Sequence, residues 1–178
     1  MLFTKDNYQK IYNLMSANPF ADLDCGILCE NACCKAQGEN LGIYLLPGEE
    51  QMYSLEDEKW LVWEKHDPQD FDFPDSWIQT VYFVKCIKEC PRDKRPIQCR
   101  TFPLAPHLKD KKSNLILIWE SLKLPYSCPL IVKNRILNPD YIQGLKKGWD
   151  ILIKNPLIKD LVIYDSLQRK SQYIEYKD

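Results

Sequence analysis

The chain has 178 residues, with 24 Lys+Arg against 25 Asp+Glu and a formal net charge of −1. That length suffices for a single domain with its own hydrophobic core, so neither disulfides nor metals are needed merely to fold it. The charge balance gives no strong signal for a nucleic-acid partner. Apolar runs such as Leu115–Trp119 fall far short of the roughly 20 residues of a membrane span.

The opening segment, "MLFTKDNYQKIYNLMSANPF", lacks a basic region leading into an apolar run, so it does not read as a secretory signal. The expectation is a cytoplasmic protein with no membrane partner. Residues 4–18 are predicted helical, with Thr4 as cap and Tyr8, Ile11, Tyr12 and Met15 on one face. "LGIYLL" at 41–46 is predicted as a strand ended by a Pro47-Gly48 turn, after which Glu49 and Glu50 open a short helix. Residues 58–66 and 77–86 are dense in aromatic and β-branched side chains and read as strands. Between them lies "DPQDFDFPDS", which lacks the glycine and the terminal glutamate of a calcium loop and reads as a solvated turn.

A fourth strand is predicted at 114–120. Two helices follow, with Asn138-Pro139 and Asn155-Pro156 as cap and first turn, and Ile142, Leu145, Trp149, Leu152 and Ile153 then Leu157, Leu161 and Tyr164 as their apolar positions. The predicted class is α+β. A small cysteine-rich metal-binding body with a few short strands (20–130) is flanked by an N-terminal helix and a C-terminal helical hairpin within a 131–178 extension, all in one domain spanning 1–178.

Eight cysteines lie in that body: Cys25, Cys29, Cys33, Cys34, Cys86, Cys90, Cys99 and Cys128. In an exported chain they would read as four disulfides; in a reducing compartment, clustered thiols more often hold a metal or do redox work. Thiolates at short spacing suit zinc or an iron–sulfur cluster, and spacing alone does not choose between them. Adjacent Cys33 and Cys34 would point to opposite sides of an extended segment. They are therefore expected to go to different places, as ligands of two sites or as one ligand and one packed or redox-active thiol. Arg92, Lys94, Arg95 and Arg100 sit around Cys90 and Cys99, where cations lower thiol pKa values and offset the charge of a thiolate site.

"CGILCENACC", then "CIKECPRDKRPIQCRTFP", then Cys128-Pro129 resemble the YkgJ-like cysteine-cluster family, a domain described as zinc- or iron-chelating and named for a C-x-x-C-x-x-C-C motif. Arg95-Pro96, Cys99-Arg100 and Phe102-Pro103 carry the closest part of the match. "IYLLPGEE" is similar to the family's strand, turn and glutamate. In this chain each gap of the first cluster is three residues rather than two, and "CPRDKRP" replaces an aromatic before the Arg-Pro pair. The resemblance implies that all eight cysteines belong to a metal-ligand set, with Arg95 and Arg100 as cofactor-binding residues. It also implies a second reading, since flagellin lysine N-methylases carry a related domain: a metal-cluster-dependent enzyme of methyl transfer or redox chemistry. Thiol exchange is a third.

His66 and His107 are the only histidines and read as surface residues, His66 at a strand end and His107 as an auxiliary ligand only in the alternative. The five tryptophans read as packing residues. Trp60 and Trp63, an odd number apart, are expected on opposite sides of one strand, with one exposed or covering the cysteines.

Overall fold

The N-terminal helix begins where the sequence offers a cap. In the computed structural model, which describes residues 3–20, 24–35, 42–54, 58–110, 114–121, 125–132, 136–169 and 172–177, helix α1 spans Lys5–Leu14. Thr4 Oγ1 accepts the Asn7 N–H at 3.4 Å and Asn7 Oδ1 accepts the Thr4 N–H at 3.0 Å, a reciprocal cap. Tyr8, Ile11, Tyr12 and Met15 are buried, as their spacing predicts. The helix stops short of residue 18, before a segment in which Pro19 biases Asn18 away from helical backbone.

A four-residue helix, α2 (Ala32–Lys35), follows the first cysteines. Strands β1 (Ile43–Tyr44), β2 (Leu61–His66) and β3 (Val81–Cys86) form an antiparallel sheet in the order β1-β3-β2. Its register sets Ile43 opposite Val84, Leu61 opposite Cys86 and His66 opposite Val81. All three were expected and all are shorter than expected; Leu41 lies outside the described residues. Trp60 precedes β2, and its carbonyl accepts the Ile87 and Lys88 N–H groups at 2.8 and 3.1 Å, which closes the turn after β3. The Trp77 indole N–H is drawn off to the Leu157 carbonyl at 2.8 Å.

Helix α3 (Ile97–Thr101) and strand β4 (Leu104–Leu108) were not expected from the sequence. Pro106 sits inside β4, and proline is tolerated in a sheet only where its missing N–H faces no partner strand. Here β4 pairs only with β5 (Leu115–Trp119), Leu104 opposite Trp119 and Leu108 opposite Leu115. The outer edge of β5 is bonded by the C-terminal segment, the Tyr176 N–H donating to the Leu117 carbonyl and the Trp119 N–H to the Ile174 carbonyl, each at 2.9 Å.

A short helix α4 (Pro129–Val132) precedes α5 (Pro139–Leu152) and α6 (Pro156–Gln168). Asn138 and Asn155 cap the last two as expected, each accepting a backbone N–H at 3.0 Å, with proline in the first turn. These helices share one core with α1 and β4–β5: Tyr8, Ile11, Leu104, Leu117, Leu145, Trp149, Leu152 and Ile158 pack together. Each fully buried Leu or Ile contributes roughly 1.5–3 kcal/mol. A smaller cluster of Leu45, Tyr53, Trp60, Leu61, Val84 and Cys90 lies against the three-stranded sheet, with Cys34 and Cys86 packed on it. The architecture is thus mixed helix and antiparallel strand. No helix among the described residues is long and apolar enough to cross a membrane.

Candidate metal centre

The first cysteine run is built as a chain of tight turns. Asp24 Oδ1 accepts the Gly26 N–H at 2.9 Å and starts a 3-10 turn over Cys25–Leu28. The Gly26 carbonyl then accepts from the Cys29 and Asn31 N–H groups at 3.2 and 2.9 Å. Glu30 and Asn31 both take left-handed backbone, with φ of 52° and 58°. That reversal delivers Cys33 and Cys34 on α2, and the Asn31 side chain fastens the turn to Glu89 at 3.1 Å.

The expectation that Cys33 and Cys34 diverge is corrected by this geometry. They sit on a helical turn, where successive side chains are rotated by about 100° rather than 180°. Their sulfurs are 4.0 Å apart.

The second run leaves the sheet at Cys86, the last residue of β3, and turns through Cys90, which is buried with its Sγ 3.5 Å from the Pro91 carbonyl. A 3-10 turn over Arg92–Lys94 leads to Pro96 and then α3, which carries Cys99. Glu49 anchors the start of that helix, its Oε1 accepting the Ile97 N–H at 2.7 Å.

The two runs meet at Cys34. Its sulfur lies 4.0 Å from that of Cys33, it packs with Cys86 and Cys90 against the sheet, and its interaction with the Cys33 and Cys86 thiols holds its pKa well below the usual thiol range. The Cys34 and Cys90 thiols and then burial push the pKa of Cys86 up, while Cys90 is lowered chiefly by Cys86. Cys33 is raised in the same way by its bond to Cys34. Burial, followed by the charges of Cys90 and Cys34, pushes Cys99 up to about 12. Cys33, Cys34, Cys86, Cys90 and Cys99 thus form a loose nucleus of neighbouring thiols, with no three converging on one point among the described residues.

The remaining three border it. Cys25 is pushed up to about 11, first by burial and then by Asp24, and Cys29 points its Sγ back at the Cys25 carbonyl at 3.8 Å. Cys128 starts the turn into α4, where its carbonyl accepts from Ile131 and Val132. Burial, and then the nearby thiols of Cys33, Cys99, Cys128 and Cys34, raise the Tyr126 hydroxyl above the usual phenol range.

The four cations of the second run divide their work. Lys94 pairs with Glu58 at 2.6 Å. Arg100 is buried and donates to the carbonyls of Arg95 and Asp93, each at 2.6 Å, and of Met15 at 3.3 Å, its guanidinium 4.2 Å from the Tyr12 ring centroid. It fixes the backbone of residues 93–95. Arg92 reaches the Ala17 carbonyl at 2.7 Å and Asp24 at 3.4 Å. Arg95 is the cation set among the thiols: burial opposes its charge, but Asp24, Cys90, Cys34 and Cys25 together raise its pKa.

The histidines stand apart. His107 is buried on β4 with its ring centroid 4.0 Å from that of Tyr173, not on the surface as expected; the strand that the sequence hid turns it inward. His66 ends β2, between Glu64 at 3.0 Å and Asp70 at 3.7 Å. Trp60 and Trp63 do not share a strand: Trp60 is buried beside Cys90, and Trp63 stacks on Tyr82 with centroids 5.0 Å apart.

Among the described residues, no group of three or more His, Cys, Asp or Glu side chains already converges as a metal ion would require. The thiols touch in pairs, and the donor set is soft sulfur with one guanidinium beside it, a chemistry suited to zinc or iron–sulfur ligation. Asp24, Glu49 and Tyr126 were not picked out as parts of this site from the sequence. Asp24 carried a local signal as an acidic residue just ahead of a helical turn, and Glu49 carried one as the acid that follows the Pro47-Gly48 turn. No protein-family model, curated protein or solved structure matches the chain.

Proposed function

We propose that this is a metal-binding protein that holds zinc or an iron–sulfur cluster on its split cysteine cluster. The observation that carries the reading is the meeting of the two runs: Cys34, its sulfur 4.0 Å from that of Cys33, packs against the three-stranded sheet with Cys86 and Cys90 of the second run. Bringing free thiols this close in a half-buried setting disfavours ionising them together, and a bound cation reverses that balance. The ligands come from the nucleus of Cys33, Cys34, Cys86, Cys90 and Cys99, with Cys25, Cys29 and Cys128 at its border. Coordination of these thiols releases their protons.

The resemblance of "CGILCENACC" and "CIKECPRDKRPIQCRTFP" to the YkgJ-like cysteine-cluster family supports the same reading. A reducing, cytoplasmic setting belongs to it, because a persistent free-thiol cluster requires one.

The test is the metal and sulfide content of the full chain purified without oxygen. Brown protein absorbing near 400 nm, with iron and acid-labile sulfide, identifies a cluster. Colourless protein with stoichiometric zinc identifies a zinc site. Metal-free protein that takes up neither on reconstitution, with all eight thiols titratable, contradicts the proposal.

A further inference from the structure

We infer that Asp24 is a positioning residue for the thiol nucleus, acting through Arg95; the inference rests on the metal-binding reading above. One carboxylate joins both halves of the split cluster. Its Oδ1 accepts the Gly26 N–H at 2.9 Å and so sets the turn that carries Cys25 and Cys29. Its Oδ2 accepts from Arg95 Nη2 at 3.2 Å and from Arg92 Nη1 at 3.4 Å, both on the Cys90–Cys99 loop.

Asp24 is tied to that loop by these two ion pairs. The Arg95 side chain is only 11 % exposed, so its guanidinium has little water to turn to. Its Nε–H and that of Arg92 find no acceptor among the described residues. A buried cation so poorly satisfied stays beside the thiols only because something holds it there. Asp24 holds one end, and the low-pKa thiols of Cys90 and Cys34 favour the cation at the other. Arg92, clamped between Asp24 and the Ala17 carbonyl, braces the carboxylate in turn.

Two opposite effects on metal affinity follow from the two roles open to Asp24. As a mere negative charge near anionic thiolates it weakens metal–thiolate binding, and its removal tightens it. As the strut of Arg95 it strengthens binding, and its removal loosens it. The geometry favours the strut, because without Oδ2 the guanidinium loses its one carboxylate partner.

The experiment titrates zinc(II) into the reduced full chain against a chromophoric chelator, and in parallel reconstitutes it with ferrous iron and sulfide, for the wild type, Asp24→Asn, Asp24→Glu, Arg95→Gln and the Asp24→Asn/Arg95→Gln double variant. Thermal unfolding in each case reports whether the chain is folded. Outer-layer partners of metal sites typically change affinity by about 10- to 100-fold. Asp24→Asn is expected to lose affinity in that range, Asp24→Glu to recover part of it, and the double variant to bind no worse than Arg95→Gln alone. Tighter or unchanged binding by Asp24→Asn overturns the inference, as does full additivity with Arg95→Gln. Should Asp24→Asn not fold, Asp24→Glu against Arg95→Gln still decides it: an Asp24→Glu protein that binds more weakly than wild type, anywhere down to the level of Arg95→Gln, supports the strut, and one that binds as tightly as wild type or more so overturns it. A wild type that takes up neither zinc nor iron fails the metal reading itself, a result distinct from any of these.

Discussion

Glu49 is fully buried, and its Oε1 accepts the backbone N–H of Ile97 at 2.7 Å across 48 residues of sequence. The same carboxylate accepts the Tyr12 hydroxyl at 2.8 Å and, through Oε2, the Leu46 N–H at 2.9 Å. It therefore fastens α1, the turn after β1 and the start of α3, and α3 carries Cys99. Burial pushes its pKa up, against three donors that favour the anion, and the Arg100 guanidinium over the Tyr12 ring supplies compensating charge.

Replacing Glu49 is consequently expected to destabilise the protein in proportion to the donors left unpaired. Glu49→Gln sets an amide N–H against at least one existing donor and costs about 2 kcal/mol. Glu49→Leu strands all three donors and costs about 4 kcal/mol. Urea denaturation of the reduced chain measures both; equal stability of Glu49→Leu and wild type would remove Glu49 from this role.

A second, half-buried acid gives a pH dependence of defined sign. Asp165 on α6 is raised to about 6, by burial first and then by Glu120 and Asp72, against the opposing charge of Arg169. A carboxyl raised in the folded state favours folding while protonated, and that contribution is lost as pH climbs from the unfolded value of 3.8 through about 6. Asp165→Asn removes the charge and should stabilise the chain by about 1 kcal/mol at neutral pH, allowing for partial solvent contact. The gain should shrink as pH falls and be mostly gone by about pH 4. Melting temperatures of the two proteins across that range give the comparison, and a gain that grows toward acid would refute the sign.

The seam between α1 and α5 rests on two glycines that differ in what surrounds them. A Cβ on Gly144 would lie 2.3 Å from the Leu14 carbonyl oxygen, and one on Gly148 would lie 2.6 Å from the Met15 sulfur. Backbone cannot yield without moving α1, whereas a methionine end can swing away. Gly144→Ala is expected to destabilise by about 2 kcal/mol. Gly148→Ala should cost about half as much or less, because alanine's better helix propensity offsets part of the strain. Thermal or urea unfolding separates the two, and the reverse order would contradict the packing described.

The parts of this fold legible in the sequence are those specified locally. Asn138-Pro139 and Asn155-Pro156 start helices because cap and first-turn chemistry lie within a few adjacent residues, and Tyr8, Ile11, Tyr12 and Met15 declare a buried face by spacing alone. Strand β4 was hidden because Pro106 argues against a strand until its single partner, β5, is in place. Glu49 was read as an acid favoured by a helix dipole, and its burial depends on donors from Tyr12, Leu46 and Ile97 that no local window contains.

The cysteine cluster divides in the same way. The two cysteine runs, and a cationic loop beside the second, are visible in the sequence. That Lys94 and Arg100 are engaged elsewhere, and that Arg95 is held by Asp24, depends on the meeting of two distant runs. The relation between Cys33 and Cys34 turned on backbone conformation: extended chain would have separated them, and the left-handed turn at Glu30 and Asn31 starts a helical turn that brings them together.

The central claim is that one nucleus of thiols, drawn from both runs, holds the metal. Its most direct test is alkylation of each cysteine, read by mass spectrometry, in the metal-loaded and metal-stripped forms of the reduced full chain. Metal is expected to protect Cys33, Cys34, Cys86, Cys90 and Cys99 strongly and together and to protect Cys25, Cys29 and Cys128 more weakly, and the whole pattern is expected to be lost in Cys34→Ser. Protection confined to one run, or reactivity that metal leaves unchanged at all eight cysteines, would contradict it.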